Sequence, residues 1–173
     1  MKTIKCTLGT LDKAVREIEE YELSLKKKCA ELNERVASYG GFLARARFSQ
    51  AMYAGLNDTE ITVEPYDEGY KIIASGQAVL FIEFGTGTKN PEHPLSAQFG
   101  YAHGTYGKGK GDSSKYPNGW TYWGDPGNAG SPVPGKDGLY RTQGNPANRC
   151  MYDTGKELRE ELARIAKEVF AND

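Results

Sequence analysis

No stretch of this 173-residue chain is apolar for long enough to span a bilayer. The opening "MKTIKCTLGT" lacks the apolar core of a signal peptide, so a soluble, intracellularly made protein is expected. Charge of one sign is also missing. Twenty-two basic residues stand against 23 acidic ones, a balance that argues against a chain built to coat nucleic acid or to read its sequence. Cysteine is scarce: Cys6, Cys29 and Cys150 are odd in number and lack metal-ligand spacing, which points to reduced thiols rather than a disulfide framework. There are two histidines, His93 and His103. Neither G-x-G-x-x-G nor G-x-x-x-x-G-K-[ST] occurs, and in "FGTGTKN" the Asn90-Pro91 pair opposes immediate entry into a helix, so a nucleotide cradle is not expected.

What is present begins with a long amphipathic segment. Over residues 10–39, Leu11, Val15, Ile18, Leu25, Cys29, Leu32 and Val36 recur in alternating four- and three-residue steps, interrupted once at Glu22. That spacing predicts a helix with a single apolar stripe, which must lie on a partner surface. Thr10 is the expected cap and Gly40-Gly41 the expected stop. The Lys26–Lys28 triplet reads as a solvated patch. A short helix over 42–53 is predicted next, with Arg45 and Arg47 turned to solvent or to a subunit contact. The β-prone runs "TEITVEPY" and "YKIIASG" flank "DEG" and predict a hairpin over 59–76. Gly69 would take the left-handed position of a three-residue turn, and Pro65 would confine its strand to an edge or a bulge.

Residues 85–145 differ in character. They hold 14 of the 21 glycines, six of the eight prolines, both histidines and both tryptophans. Leu95, Val133 and Leu139 are the only large aliphatic side chains there, too few for an independent core. Eight aromatics make simple disorder a poor fit. "GWTYWG" and "GLYRTQG" predict a second hairpin inside a long insertion of the kind that carries function or meets a partner. The chain closes with a helix expected over 146–170, capped by Asn145, opened by Pro146, and striped by Met151, Leu158, Leu162, Ile165 and Val169. Together these elements predict one α+β domain over 1–173, a small antiparallel sheet packed against two long amphipathic helices.

The chemical readings centre on "AVLFIEFGTGTKNPEHP", Ala78 to Pro94. Glu83 as a general acid needs a carboxylate, histidine or metal beside it. His93, His103 and Cys150 could be drawn together as a nucleophile pair or a zinc site, but no local signature supports either. The preferred reading is surface histidines, a structural thiol, and a carboxylate that caps amides or pairs across an interface. Ala78, Phe81, Ile82 and Gly85 share a helical face; the run equally suits a buried strand, and a short helix is the preferred expectation. Trp120, Tyr122, Trp123 and Tyr140 could stack on a sugar, as in a carbohydrate-binding module, or anchor a neighbouring subunit. No enzyme, cofactor or metal is expected from any of these residues.

The order of motifs resembles one known family. "ASGQAVLFIEFGTGT" is similar to the signature of the tail-completion, or head–tail joining, proteins of long-tailed bacteriophages, in which a hairpin leads into a hydrophobic segment ending in Glu-Phe-Gly-Thr-Gly. "TQGNPANRCMYDTGKELREEL" stands where that family opens its last helix, and "ARFSQAMYAGLNDTEITVEP" resembles the region before the hairpin. Here "GGFLARA" replaces the Thr-Gly-x-Leu segment of some members, and "NPANRCMYDT" the usual Pro-Phe form. The resemblance implies a structural virion part at the tail or neck, made in the host cytoplasm. It implies self-assembly into a ring, usually sixfold, and contacts with tail-tube and head-connector proteins. It implies that Glu83, Phe84, Gly85, Thr86 and Gly87 form a structural motif, and it makes Pro146 a candidate interface residue beside the aromatics.

Overall fold

The structure is a computed structural model that describes residues 8–85, 93–100, 120–124, 130–142 and 144–171. Its elements run α1 (Leu8–Ser49), β1 (Glu60–Tyr66), β2 (Gly69–Ser75), α2 (Val79–Phe84), β3 (Trp120–Trp123), β4 (Ser131–Pro132), β5 (Leu139–Thr142) and α3 (Cys150–Ala171). The architecture is α+β, with two small antiparallel sheets and two long helices.

Helix α1 is one uninterrupted element of 42 residues, roughly 63 Å at about 1.5 Å per residue. Ion pairs one turn apart support its exposed surface: Lys26–Glu22 at 2.7 Å and Arg35–Glu31 at 2.6 Å. It begins at Leu8, so Thr10 lies inside it rather than capping it, and the separate helix expected over 42–53 is its last two turns. The reason for the second difference is spatial. A Cβ on Gly40 would sit 2.5 Å from Ile72 Cδ1 and 2.7 Å from Leu158 Cδ1, and one on Gly41 would sit 2.6 Å from Val63 Cγ2. The glycine pair is therefore a notch in a continuing helix, where the hairpin and α3 both cross it at close range. The helix ends at Ser49, where the Asn57 side-chain amide donates to the Phe48 carbonyl (2.8 Å).

Strands β1 and β2 pair from Glu60↔Ser75 to Tyr66↔Gly69, which leaves a two-residue turn, Asp67-Glu68. Asp67 carries the positive φ, 51°, and Gly69 belongs to β2. The expected three-residue turn with a left-handed Gly69 is thus replaced by a tighter loop, one that asks for positive φ at its first position. Both strands are edges of a two-stranded sheet, which accommodates Pro65. Ile61, Val63, Ile72 and Ala74 share the face turned to α1. Arg45 is exposed, as expected, and also donates to the Ile61 carbonyl (3.1 Å); Arg47 is half-buried and donates to Thr154 Oγ1 (3.1 Å) and Glu157 (2.5 Å). They tie α1 to the hairpin and to α3.

Helices α1 and α3 run antiparallel. Tyr39 meets Glu157 at one end of the seam, and Lys28 lies over the Phe170 ring at the other. The Arg47 guanidinium, then the Tyr39 hydroxyl, hold the Glu157 carboxyl below the usual carboxylate range. The buried core joins Ala44 and Phe48 of α1, Ile61 of β1, Ala78 and Ile82 around α2, and Cys150 of α3. Full burial of one such aliphatic side chain contributes about 1.5–3 kcal/mol.

The second hairpin of the insertion forms as β3 and β5, in register from Trp120↔Thr142 to Trp123↔Leu139; β4 pairs on the far side of β5. The final helix starts at Cys150, four residues later than expected. Asn145 and Pro146 do not open it, because their backbone lies across α2 instead.

Candidate functional site: a buried carboxylate and histidine at the helix junction

Helix α2 is short and carries its site at its last turn. Asp58 starts it from outside: its carboxylate accepts from the Gln77 amide (2.7 Å) and the Ala78 amide (2.8 Å). Those amides, Ala78 first, hold the Asp58 carboxyl below the usual carboxylate range. The helix stops at Gly85, whose φ is 69° and ψ −169°. A Cβ there would meet Ala147 N at 2.6 Å, Pro146 C at 2.8 Å and Asn145 O at 2.9 Å. The bend therefore needs glycine twice over, for its backbone angle and for a backbone crossing.

The crossing chain is 145–149. Its Asn148 amide donates to the Ile82 carbonyl (2.9 Å) and its Arg149 amide to the Glu83 carbonyl (3.1 Å), so the last carbonyls of α2 are satisfied from outside the helix. The Asn148 side chain accepts from the Met52 amide (2.8 Å) and donates to the carbonyls of Met52 and Ile82, both at 3.2 Å. Asn145 Oδ1 accepts from the Ala54 amide (2.8 Å). Arg149 takes a positive φ of 54° and turns the chain into α3.

Glu83 meets α3 head on. Its Oε2 accepts from the Met151 amide (2.7 Å) and its Oε1 from the Tyr152 amide (2.9 Å). These are the second and third residues of the helix, whose amides an N-cap side chain ordinarily receives. The charge also sits at the positive end of the α3 dipole. The third ligand of this carboxylate is His93, with Nε2 at 3.0 Å from Oε1. The Leu95 amide donates to His93 Nδ1 (3.0 Å), which places the ring proton on Nε2, facing Glu83. Both side chains are buried, Glu83 at 6% exposure and His93 at 4%. The imidazole is further held by Phe84 (ring centroids 4.4 Å apart) and edge-on by Tyr152 (5.2 Å). His93 is thus a buried structural ligand, which corrects its expected place on the surface.

The arrangement leaves little free chemistry. Three donors occupy the Glu83 carboxylate, and both nitrogens of His93 are used. The Cys150 thiol, 1% exposed, is pushed up to about 12 by burial first and by the Glu83 charge second. It stays protonated near neutral pH and makes a poor nucleophile. Among the described residues no three His, Cys, Asp or Glu side chains converge as a metal site. His103, Thr86 and Gly87 lie outside the described residues. Above the buried pair lies an open apolar groove of about 600 Å³, walled by Ile72, Ile73, Val79, Leu80, Leu95 and Phe99.

The candidate interface residues fall into two groups. Trp123 is 69% exposed and lies over Gly138, while Tyr122 and Tyr140 face one another across the strand pair at 6.1 Å. Trp120 opens the same strand. Pro146 lies elsewhere, half-buried in the loop that crosses Gly85. Sequence reasoning did not single out Asp58 or Asn148. Both are Asx residues close to Gly or Pro, the one local signal that such a side chain bonds backbone. Among the described residues no helix is long and apolar enough to cross a membrane. No family model, curated protein or solved structure matches this chain.

Proposed function

We propose that this chain is a structural virion subunit of a phage or prophage, a neck or tail-completion protein that assembles as a ring at the head–tail junction and catalyses no reaction. The observation that carries the reading is how the Glu-Phe-Gly bend is used. Glu83 spends both oxygens on the α3 amides and His93, and Gly85 admits the 145–149 backbone. The motif on which the resemblance rests thus serves to join two segments of the chain, the role expected of an architectural signature. Exposed aromatic and aliphatic groups are the material for neighbours: Trp123 on the insertion sheet, and Leu80 and Phe99 beside the groove. Ring closure requires one patch to meet a different patch on the next copy, and these surfaces supply unlike faces.

The protein would reside in the neck of the virion and contact tail-tube and head-connector proteins. Native mass spectrometry and electron microscopy of the purified chain, alone and with tail-tube protein, test the reading. Rings are the expected result; a strict monomer at high concentration with no affinity for tube or connector overturns it. The exposure of Trp123 also favours a second reading, a carbohydrate-binding face formed with Tyr122 and Tyr140. Quenching of tryptophan fluorescence by oligosaccharides that is lost in Trp123→Ala would select it.

A further inference from the structure

We infer that the N-terminal half of α1 is a self-association arm, which pairs antiparallel with the same segment of a second copy. Helix α3 covers α1 only as far as Lys28, which lies over the Phe170 ring next to the last residue of α3. Beyond that point α1 continues to Leu8. Leu11, Val15, Ile18, Tyr21 and Leu25 are all exposed there, Ile18 at 66%. Their spacing continues the stripe that runs through Cys29, Leu32 and Val36 toward the glycine notch. The arm therefore prolongs the α1–α3 seam with no second helix against it among the described residues.

The sequence of the arm selects a copy of itself, reversed. In four- and three-residue steps, Leu11, Val15, Ile18, Glu22, Leu25 and Cys29 occupy the core positions of a coiled coil. Reversed about Glu20, this stripe matches itself: Leu11 layers with the partner's Cys29, Val15 with the partner's Leu25, and Ile18 with the partner's Glu22. The flanking charges agree with that register, because Asp12 then lies beside the partner's Lys26 at both ends of the contact. A parallel pairing would instead stack Glu22 on Glu22 in the core and set Lys26 beside the partner's Tyr21, with the Asp12–Lys26 pairs lost. Two features keep the antiparallel contact weak and reversible: Glu22 occupies a core position, bonded to Lys26 of its own chain at 2.7 Å, and Glu19 faces its symmetry mate. This inference is independent of the ring reading, since a two-fold contact joins copies pairwise whereas ring closure uses unlike faces.

Cys29 is exposed and reports the register directly. The full chain with Cys6→Ser and Leu11→Cys, mildly oxidised, is expected to give a disulfide-linked dimer on non-reducing gels. The dimer should be lost when Cys29→Ser is added, and lost again when Val15→Glu and Leu25→Glu break the stripe. Those two positions are exposed, and circular dichroism checks that the helix persists. Sedimentation should show association that rises with concentration and strengthens in Glu22→Leu. Three results would overturn the inference: no cross-link in the Leu11→Cys chain, cross-linking that survives the two glutamates, or efficient Cys29–Cys29 linkage in the Cys6→Ser chain alone, which reports parallel arms.

Discussion

A single carboxylate does the capping that α3 does not do for itself. Removing Glu83 leaves the Met151 and Tyr152 amides and the His93 ring without their acceptor in a buried setting. Loss of a cap costs about 1 kcal/mol and each unmatched buried donor about 1–3 kcal/mol. Glu83→Ala is therefore expected to lower stability by about 2–4 kcal/mol, read from the urea midpoint at unchanged slope; a midpoint within error of the parent chain would sink the capping account. Cys150 gives a second test. Its raised value means that the folded state favours the thiol, so iodoacetamide near pH 7.5 should label Cys29 and spare Cys150 until the chain is unfolded. The thiol's contribution to stability is present below its ordinary unfolded value of 9.0 and is lost as pH rises toward about 12. Asp58 has the opposite sign. Its folded value is depressed by the Ala78 and Gln77 amides, so its contribution is present above the unfolded value and disappears as pH falls through the folded one. Asp58→Asn should flatten the loss of stability below about pH 4; an unchanged acid limb would show that the capping bonds carry no linkage.

Among the elements, two glycine sites look alike in sequence but differ in what surrounds them. At Gly40 the close neighbours are the δ-methyls of Ile72 and Leu158, which can rotate, and alanine is favoured over glycine by about 1 kcal/mol inside a helix. Gly40→Ala should therefore fall within about 1 kcal/mol of the parent chain in either direction. At Gly85 the close neighbours are the backbone atoms of Asn145, Pro146 and Ala147, and φ is 69°. Gly85→Ala should cost at least about 2–3 kcal/mol, because neither the crossing chain nor the dihedral can yield cheaply. Parallel urea titrations give the comparison, and equal losses at both positions would contradict the two assigned roles. The interlock also couples the elements: Asn148 binds the chain after α1 and the end of α2 together, so movement of one draws on the other.

At the scale of the molecule, the core and the arm should separate in hydrogen exchange. Residues 37–48 carry buried side chains against β1, β2 and α3, whereas 11–25 have no packing partner among the described residues. In dilute protein the amides of 11–25 should exchange faster than those of 37–48, and protection of the arm should grow with concentration. Uniform protection along α1 at all concentrations would mean that the arm is covered in some other way.

Periodicity was enough, from sequence, for the α+β class, the two strands of the first hairpin and the strand pair around Tyr122 and Tyr140, and it fitted the short helix that ends at Phe84, though it equally suited a strand. Those features depend on neighbours one to four residues apart, and such information lies in the sequence itself. The double glycine at 40–41 and the Asn145-Pro146 pair were misleading for the same reason. Each matches a local signal for ending or starting a helix, but each is used for close approach of chain segments distant in sequence. Whether a missing Cβ breaks a helix or makes room for Leu158 is decided only when Leu158 arrives. The same holds for Glu83, an unremarkable carboxylate in the sequence: the fold brings it two helix amides and a histidine, and burial among them fixes what it does.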